Sequence, residues 1–452
     1  MMNDEILAIL GVGEERSPYY ARIAEWDSWW RGFHRPFHEF AEGTASGPPV
    51  RRQLYRMNMA KKICEDWAAL LLNDKTAIRV DDEVGETFLK TVLDSTDFAA
   101  GANRLLEKAF ATGTGAAILR FAASQDEEGG WYDPAGVSFE YVDAAHIIPL
   151  SVEGGVITEA AFVSESLFRG EERLYVEVHT KEEDGYVIRN TLYRREDGAL
   201  VPVKDGSYEH EIRTGSPVPL FAILTPNIQN PVDGNCGLGV SVYADAIDCL
   251  KGVDLAFNNF CRDIRLGGKK VFLNQTLVRR DEDGAVFTPD DVAQQLFVTI
   301  GDGDLSEHPM ITEHNPELRA AENAEAVQCQ LNYLAFRCGL GAHHYDFSST
   351  NGRTKLTATQ YMGERQDMRQ NAVKHQKNVT VFLRAVARAV LWIGSAVYGF
   401  PIRPDAAVSV WHDDAYFVDA ETVRSRDLAE VEAGLMTAEE YRGKWKGGSV
   451  LA

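Results

Sequence analysis

Residues 343–346 combine the side chains most able to do chemistry in this sequence. His343, His344 and Asp346 stand in a Gly/Ser/Asn-rich stretch, and imidazole and carboxylate groups are common metal ligands. Neighbouring side chains on an extended segment point in opposite directions, so two adjacent histidines do not readily chelate one ion. The spacing therefore favours an exposed polar loop, with metal binding as the weaker alternative.

The familiar motifs of catalysis and nucleotide binding are absent from the sequence. Residues 267–270 (GGKK) have neither the spacing nor the hydroxyl of a P-loop, and Gly237-Leu238-Gly239 lacks the third glycine of a dinucleotide site. The patterns G-x-S-x-G and H-E-x-x-H do not occur. We therefore expect no catalytic residue, no cofactor and no resident metal, as in a protein that is not an enzyme.

The cysteines are scattered along the chain without any C-x-x-C pair. They are Cys64, Cys236, Cys249, Cys261, Cys329 and Cys338. This spacing fits neither a zinc site nor a dense disulfide framework. It predicts reduced thiols, most of them buried as small apolar side chains.

The charge and length of the chain limit the classes of function. The 452 residues carry 46 Lys+Arg against 68 Asp+Glu, a net charge of −22, which argues against a protein that grips nucleic acid tightly. With 45% hydrophobic residues the chain can bury a sizeable core, and its length suggests about three structural units. The apolar runs are short and the N-terminus is acidic, so neither a membrane span nor a secretory signal is expected.

The elements that must position these residues begin with an aromatic helix. Trp26, Trp29, Trp30 and Phe33 follow Pro18 at helical spacing and give one apolar face. Such a face belongs to a core or a subunit interface, with a base-stacking platform as the weaker alternative. Further helices are expected over 57–72 and 85–111, the second broken near 99–101.

The pattern changes to that of β-strands over residues 114–224. Short Val/Ile/Tyr/Phe-rich runs alternate there with Gly/Asp/Glu turns. The runs are 116–121, 137–142, 160–164, 174–180 and 186–192. We expect an antiparallel β region of about 100 residues.

Two helices flanking an acidic insertion follow. Helices are predicted over 240–264 and 318–338, and the first has an apolar stripe. The stripe consists of Tyr243, Ile247, Leu250, Leu255 and Phe257. The insertion between the helices is expected to contain strands near 271–273 and 296–300 and a short helix behind Pro289.

The longest helical pattern runs from 356 to 398. Thr357 and Gln360 match a capping box at its start, and such a helix would span roughly 60 Å. Residues 353–398 hold 8 Lys/Arg against 2 Asp/Glu, whereas residues 279–325 hold 3 against 12. A strand over 408–411, an acidic link and a pair of helices signalled by residues 434–440 complete the predicted elements.

Several short motifs occur in a characteristic order. They are Trp29-Trp30-x-Gly32, Asn58–Ile63 followed by Leu70–Asn73, Gly339-Leu340-Gly341, Lys355–Gln360 and Gly434–Glu440. The elements also follow a characteristic order: a helix, an acidic insertion, a return helix, a Gly-rich loop and a very long helix. In these motifs and in this order, the chain resembles the portal proteins of tailed bacteriophages, of the long-tailed siphovirus type. The resemblance covers nearly the whole chain.

The resemblance implies an α+β portal-protein fold that assembles into a ring, expected to be a dodecamer. The implied parts are a wing (1–239), a stem helix (240–268), a clip (269–317), a second stem helix (318–338), a tunnel loop (339–355), a long wing helix (356–404) and a C-terminal strand with short crown-like helices (405–452). The C-terminal part is short, so a large crown is not expected.

The resemblance also implies a function and partners. The ring would form a channel at one capsid vertex, through which double-stranded DNA is packaged and later ejected, and would join head to tail. Implied partners are further copies of the chain, the terminase large subunit, a head–tail adaptor, and the major capsid and scaffolding proteins, with no membrane. The implied location is the virion, after assembly in the host cytoplasm.

Three groups of residues are expected to form the contacts of such a ring. The DNA-contacting tunnel loop would use His343, His344, Ser348, Ser349, Thr350, Asn351, Arg353 and Lys355. The channel face of the stem would present Asp245, Asp248, Asp254 and Arg262, because an acidic lumen lets a duplex pass without binding it. The subunit interface would use Lys374, Lys377 and Arg384, whose charge complements acidic segments of a neighbouring copy.

Two other functions fit the sequence less well. One is an intracellular enzyme with an unrecognised active site in the β-rich region 114–224. The other is a scaffold or capsid-associated structural protein that is not a portal.

Overall fold

The computed structural model describes most of the chain, with gaps. The described residues are 4–13, 17–42, 48–73, 75–121, 136–168, 171–196, 199–203, 210–274, 296–299, 311–347, 358–403, 405–412, 420–433 and 441. Helices account for 47% and strands for 27%, so the mixed α+β class expected from the sequence is confirmed.

The helices of the described residues are mostly those expected from periodicity. They are α1 (Asp4–Ile9), α2 (Ser17–Trp30), α3 (Arg35–His38), α4 (Met59–Leu71), α5 (Glu83–Ser95), α6 (Phe98–Thr112), α7 (Ile247–Leu266), α8 (Ala320–Arg337), α9 (Ala358–Trp392) and α10 (Ala420–Glu432). A π-helical turn, Ile393–Val397, follows α9 directly.

Two helix boundaries differ from the prediction. The break between α5 and α6 lies at Thr96-Asp97, where Asp97 adopts a left-handed conformation (φ 48°), rather than at 99–101. Helix α7 begins at Ile247 rather than at residue 240, because the preceding residues bond to other elements. The Val242 N–H donates to the Phe110 carbonyl (3.0 Å), and the Tyr243 hydroxyl donates to the Trp26 carbonyl (2.8 Å).

Within the described residues, the strands form five sheets. They are β1 (Glu39–Glu42), β2 (Val50–Gln53), β3 (Ala77–Val80), β4 (Gly115–Phe121), β5 (Val137–Asp143), β6 (Ile147–Glu153), β7 (Val156–Phe168), β8 (Glu171–Glu182), β9 (Gly185–Glu196), β10 (Ala199–Val203), β11 (Glu211–Arg213), β12 (Phe221–Leu224), β13 (Lys270–Asn274), β14 (Leu296–Thr299), β15 (Ile311–His314) and β16 (Val408–Trp411).

The part of the β-rich region that the structure describes contains two sheets. Strands β10-β9-β8-β7-β6 run antiparallel in that order, with β11 also paired to β9, and β12-β4-β5 form a separate antiparallel sheet. The antiparallel arrangement was expected, but the division into two sheets was not. Because β12 follows the Pro-rich passage after β11, it returns to pair with β4 and ties the region to the helices.

The main core lies where α4, α6 and α9 meet β12. Trp67, Phe110 and Phe382 are fully buried there, each on a different helix. Helix α9 is about 50 Å long at 1.5 Å per residue and crosses this core along much of its length. Large apolar side chains from three helices therefore hold the body together.

The insertion between α7 and α8 contains a small mixed sheet. Strand β13 pairs parallel with β14 and antiparallel with β15, so the two predicted strands are confirmed and β15 is additional. The short helix predicted behind Pro289 lies outside the described residues. So do Thr357 of the capping box and the segment 434–440.

The helical segment Gln366–Val397, which comprises most of α9 and the π-helical turn after it, is apolar and long enough to cross a membrane by length and composition. Within its most apolar window, 56% is buried inside the protein, as expected for a helix at the centre of a core. The predicted strand over 408–411 is confirmed as β16, which pairs antiparallel with β3.

Candidate functional site

Helices α7 and α8 form an antiparallel hairpin. Near its tip, Arg319 and Asn323 both contact the Asp263 carboxylate at 2.8 Å, and these contacts lower the pKa of Asp263. Near its base, the end of the Gln330 side chain packs directly over Gly252, so the two helices are in contact there. The hairpin is therefore held along its length by contacts between its own two helices.

The outer half of this hairpin contains no buried side chain. Burial on α7 ends at Asn258, and burial on α8 begins only at Leu331. Ile264, Leu266 and Leu318 near the tip each expose more than half of their surface. The hairpin thus extends away from the body and leaves apolar side chains uncovered in the single chain.

The predicted apolar stripe of α7 is partly wrong. Leu250 is buried as expected, but Leu255 is exposed, and the inward face consists of Leu250, Val253, Asp254 and Asn258. Asp254 and Asn258 lie inward because they accept hydrogen bonds from the segment that precedes α4. The N–H groups of Tyr55 and Met57 donate to the side chains of Asn258 (3.2 Å) and Asp254 (2.8 Å).

Asp254 therefore does not face a channel, and this part of the predicted stem face is corrected. Its second carboxylate oxygen lies 3.0 Å from Nε2 of His38, which is also buried. Nδ1 of His38 lies 2.8 Å from the His34 backbone nitrogen and 3.1 Å from the His34 carbonyl oxygen. The pair anchors the base of the hairpin to the N-terminal segment.

The other residues of the predicted channel face are exposed. Asp245 and Arg262 lie on the surface, and the side chain of Asp248 is 94% exposed, with Lys251 at 2.9 Å. Arg262 reaches Glu42 at 3.6 Å. All three side chains are therefore open to solvent in the single chain.

The predicted tunnel loop begins with an ordered turn rather than a fully exposed loop. His343 is exposed, but His344 is half-buried with Nε2 at 3.3 Å from Asp66, and the buried Tyr345 donates to the same carboxylate at 2.7 Å. Burial raises the pKa of Tyr345, and the neighbouring Asp66 raises it further. The expectation of an exposed polar loop is therefore wrong for His344 and Tyr345.

The Asp66 carboxylate keeps its charge in this cluster. Burial raises its pKa, but the hydrogen bonds from His344, Lys62 and Tyr345 outweigh burial and give a lowered pKa. Asp66 thus fixes the start of the predicted loop to α4. The remaining loop residues lie outside the described residues; they are Ser348, Ser349, Thr350, Asn351, Arg353 and Lys355.

The outward face of α9 is basic, as the sequence suggested. Lys374, Lys377 and Arg384 are exposed, and none of them forms an ion pair within the described part of the chain. Val373 and Val381 are exposed on the same helix. The outward face of α9 therefore presents both cations and apolar side chains to solvent.

The inward face of α9 contains a buried histidine. His375 lies between Trp67 (4.9 Å between ring centroids) and Phe110 (5.1 Å), and its Nδ1 accepts the Asn227 N–H at 3.1 Å. Burial lowers the pKa of His375 to about 3, and the charge of Lys374 adds to the effect. The ring is therefore neutral at physiological pH.

The aromatic and sulfur-containing residues also differ in their placement. Trp26 and Trp29 are buried, which confirms a core role and closes both to base stacking. Cys64, Cys236 and Cys338 are buried as expected, whereas Cys249 and Cys261 are half-buried. Cys329 is exposed on α8, so the prediction is wrong for that thiol.

Sequence reasoning missed one buried ionisable group in the β-rich region. Glu177 and His179 alternate on β8, so they share a face, and Nε2 of His179 lies 2.6 Å from Glu177. Burial raises the pKa of Glu177, but contacts with His179 and Arg120 outweigh it and lower the pKa overall. Both side chains are buried, with Phe162 and Phe221 against the imidazole, so the group stabilises the sheet and is closed to a substrate.

Comparison with known proteins adds no family assignment. No protein-family model matches the chain, and no curated protein sequence matches it.

Proposed function

We propose that this chain is a bacteriophage portal protein of the long-tailed siphovirus type. Copies would assemble into a ring-shaped channel at one capsid vertex, through which double-stranded DNA is packaged by the terminase motor and later ejected, and which joins head to tail. The observation that carries the proposal is the protruding hairpin of α7 and α8. A small sheet lies between its two helices in sequence, and the long helix α9 follows it.

Each part of the hairpin suits this role. A single chain gains little by exposing large apolar side chains on a projecting hairpin, whereas a ring of hairpins buries them between copies. The sheet of β13, β14 and β15 would form the clip that meets the terminase large subunit and the head–tail adaptor. The body would form the wing, in contact with major capsid and scaffolding proteins.

The charge of the chain supports transit rather than retention of DNA. Twelve copies would carry a net charge of about −260, and an acidic channel repels a duplex backbone. Asp245 and Asp248 are exposed at the start of α7 and would contribute to such a lumen. The segment from His343 to Lys355 would supply the transient DNA contacts.

The assembly test is native mass spectrometry of the purified chain over a concentration series, with negative-stain microscopy of the same samples. We expect a ring of about twelve subunits with a central hole. A compact monomer at every concentration would contradict the proposal and favour the enzyme alternative.

The tunnel-loop assignment has its own test. Deleting residues 348–351 should reduce the amount of DNA packaged in an assembly and packaging reaction. Ring formation should stay normal, because the deletion leaves the contacts of Asp66 with His344 and Tyr345 intact. A matched control deletes residues 204–207 in the β-rich region. Normal DNA yield with the tunnel-loop deletion would contradict the assignment.

A further inference from the structure

The two-stranded sheet of β1 and β2, called the β1–β2 ribbon below, has an open edge. All four residues of β2 are exposed to solvent. Strand β2 pairs with β1 on one side, and within the described residues no strand pairs with its other side. An exposed strand edge of this kind can accept a further strand.

The register of the ribbon shows which backbone groups lie at this edge. The Leu54 N–H donates to the His38 carbonyl at 2.9 Å, and these two residues extend the register of β1 and β2 by one pair. Since hydrogen-bonded pairs alternate along an antiparallel ladder, Arg51 and Gln53 direct their N–H and C=O groups away from β1. These groups have no hydrogen-bond partner within the part of the chain that the structure describes.

The side chains of the ribbon carry an excess of positive charge, because four arginines share two carboxylates. They are Arg35 and Arg51 on Glu39, at 2.8 and 3.4 Å, and Arg52 and Arg262 on Glu42, the second of these at 3.6 Å. The arginine side chains are between 44% and 77% exposed. The ribbon therefore attracts anionic groups, although the chain as a whole has a net charge of −22.

The two arginines of β2 serve opposite faces of the ribbon. Arg51 and Arg52 are neighbours in a strand, so their side chains point to different sides. On its side, Arg51 borders an open groove of about 410 Å³, which Pro36 and Phe40 also line. A strand added beside β2 could therefore place one carboxylate near each arginine and an apolar side chain toward the groove.

We propose that the β1–β2 ribbon is a docking surface for an extended, acidic segment of a partner protein, which adds a third strand beside β2. The backbone of the segment pairs with the outward N–H and C=O groups of Arg51 and Gln53. Neighbouring carboxylates of the segment contact Arg51 and Arg52. Backbone pairing supplies affinity, and the arginines select acidic sequences. This surface does not depend on the proposed function, because it is exposed in the single chain.

A protein segment fits this surface better than a nucleic acid does. A phosphate backbone can contact the arginines, but it has no N–H and C=O groups at the spacing of a β-strand. A duplex would also extend beyond the ribbon toward the rest of an acidic chain. A short peptide instead feels mainly the charges within about 8–10 Å of it.

The test measures how a fluorescein-labelled peptide, two repeats of Glu-Glu-Val-Thr, binds to the full chain, by fluorescence anisotropy. Arg51→Glu with Arg52→Glu should weaken binding at least about ten-fold, because two charge-assisted contacts become repulsive. Gln53→Pro removes an outward N–H and keeps every charge, and it should also weaken binding about ten-fold. The same peptide N-methylated at alternate residues should not bind the wild type, because it cannot pair along a strand edge.

A matched control changes the net charge equally at another place. Lys90→Glu on α5 with Arg104→Glu on α6 reverses two exposed cations outside the ribbon and should change binding less than about two-fold. Matched melting temperatures of all variants show that each is folded.

Four results would overturn the docking surface. The first is no binding of the peptide, or equal binding by wild type and the Arg51→Glu, Arg52→Glu variant. The second is unchanged binding by Gln53→Pro and by the N-methylated peptide, which would mean that the arginines hold anions without adding a strand. The third is displacement of the peptide by a DNA duplex, which would assign the ribbon to nucleic acid. The fourth is a changed oligomeric state of the Arg51→Glu, Arg52→Glu variant in native mass spectrometry, which would assign the ribbon to a second copy.

Discussion

The body and the hairpin use similar residues but bury them very differently. In the body, aromatic side chains such as Trp67 on α4 and Phe110 on α6 are completely buried. In the hairpin, Tyr333 and Phe336 are more exposed than buried. The body therefore gains its stability from apolar side chains buried within one chain, whereas the hairpin leaves large apolar side chains uncovered, which another copy would cover under the proposed function.

The largest expected difference between the two regions is in the cost of removing an aromatic ring. Phe110→Ala should lower the free energy of unfolding by about 3–5 kcal/mol, because it leaves a cavity in a closed core. The matched change Phe336→Ala should alter the monomer by less than about 0.5 kcal/mol. Urea unfolding of the unassembled chain measures both, and equal losses would show that the hairpin is as well packed as the body.

A substitution at the boundary between the body and the hairpin should give the next largest loss of folding stability. Asp254→Ala removes the acceptor of the Met57 N–H and the partner of His38, so we expect a loss of about 2–4 kcal/mol. Asn259→Ala, on the exposed side of the same helix, is the control and should cost under about 0.5 kcal/mol. A small loss in Asp254→Ala would mean that the anchor is replaceable, for example by water.

A pH effect should arise in the body. In the unfolded chain the imidazole of His375 binds a proton below about pH 6.5, whereas in the folded chain this imidazole stays neutral until about pH 3. Since the unfolded state binds the extra proton, stability should fall as pH falls from 6.5 toward 3, by about 2 kcal/mol at pH 5. His375→Gln should flatten this part of the urea-midpoint profile, and the exposed His343→Gln should not. An unchanged slope in His375→Gln would assign the pH dependence to other groups.

Charge reversal on the basic face of α9 should have the smallest effect on the stability of the single chain. Replacing Lys374, Lys377 and Arg384 with Glu should leave the monomer within about 0.5 kcal/mol, because all three side chains are exposed. The same triple change should weaken ring assembly if this face meets an acidic surface of another copy. Native mass spectrometry reports the outcome, and an unchanged ring would exclude α9 from the subunit interface.

Hydrophobic periodicity predicted the positions of helices and strands better than it predicted which residues they pack against. Strand β16 and helix α8 stand close to their expected positions because each has a regular apolar pattern with clear ends. The prediction for the inward face of α7 was wrong because Asp254 and Asn258 accept hydrogen bonds from the N–H groups of Met57 and Tyr55, about 200 residues earlier in the chain. The contact of His344 with Asp66 likewise joins residues far apart, and no local pattern reports such a pairing.

The pairing of β3 with β16 has a consequence for synthesis of the chain. Strand β3 ends at residue 80 and β16 begins at residue 408, so β3 cannot pair with β16 until more than 300 further residues have been translated. At about 5–20 residues per second this interval lasts tens of seconds, and α7 and α8 leave the ribosome within it. The exposed apolar side chains of α7 and α8, such as Leu255 and Phe336, are therefore present on a nascent chain in which β3 still has no partner strand.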